Sequence, residues 1–306
     1  MQETCELCPR RCRAARALGA RGACGMGSAL RVARAALHPF EEPPISGTRG
    51  SGTIFFVGCS LGCVFCQNHS IQLESAGYEI STEQLCEVML ALQRAGAHNI
   101  NLVTPTHYTD TLSKALREVK PRLQIPVVWN SGGYERAEVL ATLRGLVDVY
   151  LPDFKYFSPA LSAAYSGAPD YAAQATAALC EMYDQVGAVR FDDEGLLQRG
   201  LMVRHLVLPG SRADSMQVLE HLAALLPVDK IRLSLMRQYT PDFAPPEAPH
   251  VLHRRVTTFE YDCVAKKAEA LGFLGYFQKK ESADAHYTPD FKQHNLLHEV
   301  LGLIDA

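Results

Sequence analysis

From Thr53 onward the chain switches repeatedly between two hydrophobic periods. Thr53-Ile54-Phe55-Phe56-Val57 is an unbroken apolar run, the pattern of a strand buried on both faces. Ser81 and Gln84 then make a capping box, Leu85, Val88, Met89 and Leu92 recur at helical spacing, and Gly96 ends the helix, with Cys86 on it as a small packed or half-exposed residue. The same alternation predicts strands near 100–103, 127–129, 147–151, 201–208 and 231–235, with helices over about 109–119, 135–145, 170–186, 213–225 and 257–271. A polar turn at 192–195 and a proline-rich loop at 241–249 interrupt it, and a short strand at 273–277 closes it. Such alternation demands a mainly parallel sheet covered by helices, here with six strands that precede crossovers.

Upstream the pattern is different. Residues 1–38 hold four cysteines and are read as an N-terminal arm, 39–52 as a Pro/Gly/Ser-rich linker, 53–280 as the main domain and 281–306 as a tail. Net charge is −3, yet residues 1–34 carry seven arginines against Glu3 and Glu6, so this stretch is +5 and the remainder −8. A solvated arginine-rich face explains that polarity more economically than nucleic acid binding. The apolar runs are too short for a membrane span, and no hydrophobic signal segment follows Met1, so a cytoplasmic location is expected. Seven of the ten cysteines fall in two tight groups, a distribution that favours metal ligation in a reducing compartment over disulfides.

The first group, Cys59-x3-Cys63-x2-Cys66, directly follows the first predicted strand. This spacing supplies three thiolates to a cubane of four irons and leaves one iron without a protein ligand, the arrangement for binding a small molecule at a redox metal. A zinc knuckle would need a fourth ligand in the loop, and His69 is the sole candidate.

The motif, with Phe65 before its third cysteine, resembles the radical S-adenosylmethionine superfamily. The resemblance implies a [4Fe-4S] cluster on Cys59, Cys63 and Cys66 that cleaves S-adenosylmethionine to a 5'-deoxyadenosyl radical. It also implies a partial (β/α)6 barrel with its chemistry at the C-terminal ends of the strands. Phe65 is then expected to shield the cluster and contact adenine. The chain is similar in particular to the pyruvate formate-lyase activating enzyme-like branch, through Asn130 to Tyr134, Asp153-x-Lys155, Arg204-His205 and Gln238 to Pro241. The fold class expected is therefore α/β, a partial (β/α)6 barrel of the radical S-adenosylmethionine type with a small N-terminal metal-binding arm.

At the strand ends, Thr104-Pro105-Thr106-His107 stands where activating enzymes of that branch carry Gly-Gly-Glu for the amino group of S-adenosylmethionine. Hydroxyls and carbonyls of Thr104 and Thr106 are the available acceptors here. Asn130 and Ser131, beside two glycines, suit a ribose or a carboxylate, and the resemblance puts Asp153 and Lys155 beside the S-adenosylmethionine carboxylate. Arg204 and His205 must point to opposite faces of their strand, and His205 is taken as the inward group.

Cys5-x2-Cys8-x3-Cys12 and Cys24 form the second group, four soft ligands for zinc or an auxiliary iron–sulfur cluster. With a flexible linker behind it, this arm is expected to be dispensable for the triplet's own cluster. The leading functional expectation is an activating-enzyme-like oxidoreductase that abstracts hydrogen, from a glycine of a partner protein if the resemblance extends to function, fed by an electron donor such as flavodoxin or ferredoxin. The alternatives are radical modification of a peptide or small molecule and a non-catalytic metal-binding interaction protein.

Overall fold

A computed structural model of the chain describes residues 4–72, 76–282, 289–291, 293 and 295–302. Met1 to Glu3 of the expected arm, and residues 283–288, 292, 294 and 303–306 of the expected tail, lie outside the described residues.

The elements run in order as β1 (Arg31–His38), α1 (Pro43–Ser46), β2 (Ser51–Phe56), β3 (Tyr78–Glu79), α2 (Thr82–Arg94), β4 (Ile100–Val103), α3 (Thr109–Val119), β5 (Val127–Ser131), α4 (Ala137–Leu140) and β6 (Val149–Pro152). They continue as α5 (Pro159–Ser166), α6 (Tyr171–Val186), β7 (Arg190–Phe191), β8 (Leu197–Leu206), α7 (Arg212–Leu225), β9 (Arg232–Met236), α8 (Thr258–Ala270), β10 (Gly275–Phe277) and α9 (Leu296–Leu301). The sheet order is β10-β9-β8-β6-β5-β4-β2-β1-β3, with β7 paired to β8. All pairings from β2 through β10 along that order are parallel, so the six crossovers follow β2, β4, β5, β6, β8 and β9 as the periodicity predicts. The sheet does not close on itself, because its path ends at β10 and β3, and it forms an open, partial barrel.

Packing explains why these runs became strands. Ile54, Phe56, Leu102, Val127, Trp129, Tyr150, Leu201 and Leu233 are fully buried between the helical layer and the barrel interior. The helix α2 starts at the expected capping box, the Ser81 hydroxyl accepting from the Gln84 amide, and buries Leu85, Val88, Met89, Leu92 and Cys86.

Three stretches depart from the sequence pattern. Residues 31–38, at the end of the stretch read as the arm, form β1, antiparallel to β2 from His38↔Ser51 to Val32↔Phe56. Its Arg- and Ala-rich composition carries little strand preference, and an irregularity between Val32 and Arg34 breaks the period of two. The stretch read as a linker holds α1, with Ile45 fully buried and the Asn99 side chain donating to its carbonyl at 2.7 Å. The helix expected over 135–145 is reduced to α4 and a single 3-10 turn at Ala141–Leu143.

Candidate active site at the strand mouths

The loop that leaves β2 carries the cysteine triplet to one side of a cavity of about 220 Å³. Thr104 after β4, Asn130 and Ser131 at the end of β5, Asp153 and Lys155 after β6, Arg204 near the end of β8 and Gln238 after β9 form much of the rest. Each therefore stands at the C-terminal end of a parallel strand, where side chains from different strands converge.

Burial pushes the Cys66 thiol up to about 12, reinforced by Cys63 and Cys59, and raises Cys59 likewise. Cys59 and Cys66 raised in this way resist ionisation unless a strong positive charge joins them, which is what a cluster of irons would provide. The sulfurs also have donors: the Leu61 amide lies 3.4 Å from Cys59 Sγ, and the Ser166 hydroxyl donates to Cys63 Sγ at 3.1 Å. Phe65 is buried at the cavity wall, edge-to-face with Tyr165 and Tyr239 at 6.2 and 6.0 Å between centroids. Tyr239 itself donates to the Leu252 carbonyl and packs its loop.

Across from the thiols lies a buried charge network. Asp153 accepts from Lys155 Nζ at 2.6 Å on one oxygen and from Arg204 Nε at 3.0 Å on the other. Burial raises the Asp153 carboxyl, but Arg204 and Lys155 outweigh it and hold the group below the ordinary carboxylate value. Arg204 also donates to Asn130 Oδ1 at 2.5 Å and faces Glu41 at 3.5 Å. Glu41 comes from the segment before α1 and receives Asn101 Nδ2 at 3.1 Å and Asn130 Nδ2 at 3.3 Å. Burial raises its carboxyl against the opposing pull of Arg204. Gly133, at φ +75°, permits the close turn beneath this network, since a Cβ there would lie 2.1 Å from the Asp153 carbonyl oxygen.

Several sequence expectations are corrected by this geometry. Arg204, not His205, faces the cavity: His205 is buried on the other side of β8, where Nδ1 donates to the Phe154 carbonyl at 2.7 Å, and burial lowers its basicity. The alternation of a strand fixes that one of the pair points inward, and the buried carboxylates Asp153 and Glu41 draw in the guanidinium. Thr106 does not line the cavity; its hydroxyl donates to Glu135, which also receives Trp129 Nε1 at 2.8 Å and the Ser131 hydroxyl at 2.5 Å. Thr104 does line it, in the left-handed region at φ +60°, an uncommon position for a β-branched residue. Glu41 was invisible in the sequence because it sits in a proline-rich stretch with no motif around it.

The arm packs beside the same loop. Cys8 and Cys24 are buried, Cys5 is half-buried and Cys12 exposed, with all ten cysteines of the chain free. Burial pushes Cys8 up to about 11, and Cys24, Cys5 and Cys12 add to the effect, which marks the four sulfurs as neighbours. A Cβ on Gly22 would lie 3.3 Å from Cys12 Sγ and 3.4 Å from Cys24 Sγ, so this position lies against two of the four thiols. Among the described residues no three His, Cys, Asp or Glu converge on the point that a single metal ion would occupy. The expected flexible connection is absent: Arg16 donates to the His107 carbonyl at 2.7 Å, Arg136 to the Glu6 carbonyl at 2.5 Å, and the Cys59 amide to the Cys24 carbonyl at 3.3 Å. No helix among the described residues is long and apolar enough to cross a membrane.

Residues 53–186 match the family model described as the Radical SAM superfamily. Over 277 residues, 87% of this chain and 75% of the relative, the sequence is 27% identical to an uncharacterised protein of Methanocaldococcus jannaschii. Among solved structures the fold is similar to a radical SAM methyltransferase from Sphaerobacter thermophilus, at a TM-score of 0.50 and 15% identity, covering 74% of this chain and 66% of that one. The FeFe-hydrogenase maturase HydG of Carboxydothermus hydrogenoformans gives a TM-score of 0.46 at 12% identity, covering 80% of this chain and 62% of that one.

Proposed function

The chain carries a radical SAM superfamily domain over residues 53–186, and we propose that it uses this domain to abstract a hydrogen atom from a substrate that reaches the cavity between the cysteine triplet and Arg204. Membership implies a [4Fe-4S] cluster and S-adenosylmethionine, which together supply a 5'-deoxyadenosyl radical after one-electron reduction. Cys59, Cys63 and Cys66 are the ligands for that cluster in our reading. The observation that carries it is the convergence of three neighbouring thiols and the Asp153–Lys155–Arg204–Asn130 network on one cavity.

In this reading Lys155 and Arg204 offer positive charge to a ligand carboxylate, and Asp153 holds both in place. Glu41 supplies a buried carboxylate for an ammonium, a role that Thr104 to His107 lack the charge to fill. Asn130 and Ser131 offer polar groups to a ribose, and Phe65 gives adenine an apolar wall. Exclusion of water by Phe55, Leu61, Val103 and Leu206 strengthens each of these interactions and protects a radical from solvent. The four arm cysteines hold a second metal, zinc or an iron–sulfur cluster, and a flavodoxin- or ferredoxin-like protein delivers the electron.

A glycine of a partner protein is the hydrogen donor that we favour. A second reading, modification of a peptide side chain or small molecule, is favoured by one observation. A second cavity of about 420 Å³ adjoins the first, shares Phe40, Glu41, Arg204, Met236 and Gln238 with it, and extends to Glu42 and Tyr276. Anaerobic reconstitution with iron and sulfide, then dithionite and S-adenosylmethionine, should yield 5'-deoxyadenosine, and its absence from a fully iron-loaded protein would overturn the enzymatic reading. Deuterium passing into 5'-deoxyadenosine from a glycine-labelled partner supports activation; its passage from any other donor supports the second reading.

A further inference from the structure

Arg10 lies between Cys8 and Cys12 of the arm, yet its guanidinium is spent entirely on the main domain. Its Nε donates to the Ser60 carbonyl at 2.8 Å and Nη2 to the Leu61 carbonyl at 3.1 Å, both within the loop between Cys59 and Cys63. Nη2 also donates to the Ser166 carbonyl at 2.7 Å, and Nη1 to that of Gly167. The group sits over the Tyr134 ring at 5.4 Å from its centroid.

None of these hydrogen-bond partners is a carboxylate. A planar fork of donors joining two carbonyls of the triplet loop to two at the C-terminal end of α5 fixes their relative position and adds positive charge there, where the last carbonyls lack helical partners. This helix end matters because the Ser166 hydroxyl is the group that donates to Cys63 Sγ. Arg10 thus bridges the backbone of the triplet loop and the residue that bonds one of its sulfurs. A second tie runs in parallel: the carbonyl of Cys24, in the arm, accepts from the amide of Cys59, in the triplet.

We infer that Arg10 is a positioning residue for the cysteine triplet, and that the four-cysteine arm is the latch that holds Arg10 in place. Arg10 stands in the three-residue span 9–11 between Cys8 and Cys12, and Cys8 and Cys24 are buried, so the packing of the arm thiols orders the span from which the guanidinium reaches across. Loss of that anchor frees the span, releases the carbonyls of Ser60 and Leu61, and loosens the spacing of Cys59 and Cys63. This inference rests on the triplet holding the cluster as proposed above.

The test compares the full-length reconstituted wild type with Arg10→Ala, Arg10→Lys and a variant with Cys5, Cys8, Cys12 and Cys24 all changed to Ser. Each is read by circular dichroism, by the electron paramagnetic resonance of the reduced cluster with and without S-adenosylmethionine, and by hydrogen exchange of residues 59–67. Arg10→Ala should stay folded, exchange faster in that loop, show an altered signal with S-adenosylmethionine, and raise KM for S-adenosylmethionine by about tenfold or more, as loss of an outer-shell partner does. Arg10→Lys, able to bond fewer carbonyls, should fall between Ala and wild type. The four-Ser variant should reproduce the Arg10→Ala spectrum and exchange. A wild-type spectrum, exchange and KM in Arg10→Ala would overturn the positioning role, and a wild-type response in the four-Ser variant alone would overturn the latch. If the wild type itself shows no response to S-adenosylmethionine, it is the proposed function that fails.

Discussion

The two cysteine groups lie side by side and are supported in opposite ways. The triplet leaves a fully buried parallel strand, β2, and its loop returns against side chains at five other strand ends. The quartet stands on a segment whose regular structure amounts to one 3-10 turn at Arg16–Leu18, and it is held by arginine-to-carbonyl bonds from Arg10, Arg16 and Arg136. Small metal sites without a core of their own depend on their metal for order. Sheet-anchored sites keep their frame without one, so removing ligands should have separable consequences in the two groups.

The sharpest separation is expected from Ala substitution. Cys59→Ala, Cys63→Ala or Cys66→Ala should each abolish 5'-deoxyadenosine formation while leaving circular dichroism and thermal unfolding near wild type, because the core lies in the strands and helices. Full cleavage in any one of these variants would show that the triplet does not hold the cluster. Metal analysis of the quartet variant then decides what the arm holds: loss of one zinc identifies a zinc site, and loss of about four irons identifies a second cubane. Unchanged metal content and stability would remove the arm from metal chemistry.

Asp153→Asn tests the polar wall opposite the triplet. The change leaves Lys155 and Arg204 without their shared carboxylate, so it should cost about 3–5 kcal/mol of stability, as breaking a buried ion pair does. It should also weaken S-adenosylmethionine binding by about tenfold or more, the value of a charge-assisted hydrogen bond. Unchanged affinity in a titration would make Asp153 structural only.

His107 joins the two regions, its Nε2 donating to the Val57 carbonyl and its own carbonyl receiving Arg16. Burial pushes this imidazole down to about 4 from an ordinary 6.5. The unfolded chain therefore binds a proton that the folded one refuses, so the stability present above pH 6.5 is lost as pH falls toward 4. His107→Gln should flatten that part of the stability profile by one proton, and an unchanged slope in denaturant titrations would contradict the assignment. The smallest effect is expected at Thr104, where Gly removes left-handed strain of about 1 kcal/mol; unfolding in urea should show a modest gain, and a clear loss would mean that the side chain is needed.

Much of this arrangement was legible in the residues. The strand–helix alternation gave all six crossover strands, and the rule of strand mouths brought Cys59, Asn130, Asp153 and Lys155 together. Direction was harder: alternation puts either Arg204 or His205 inward, and only the positions of Asp153 and Glu41 decide between them. Thr106 was lost to Glu135, a buried carboxylate that gathers Thr106 from after β4 and Trp129 and Ser131 from β5. Glu41 and Arg10 lie in segments without periodicity, and their roles arise from contacts across 163 and 157 positions that no local pattern encodes.

A site-differentiated cluster on the triplet would reveal itself in the electron paramagnetic resonance of the dithionite-reduced, iron-loaded protein titrated with S-adenosylmethionine. The signal should shift as S-adenosylmethionine binds, and should lose this response when Cys59, Cys63 and Cys66 are changed together to Ala. A signal indifferent to S-adenosylmethionine, or a response that survives in the triple variant, would contradict it.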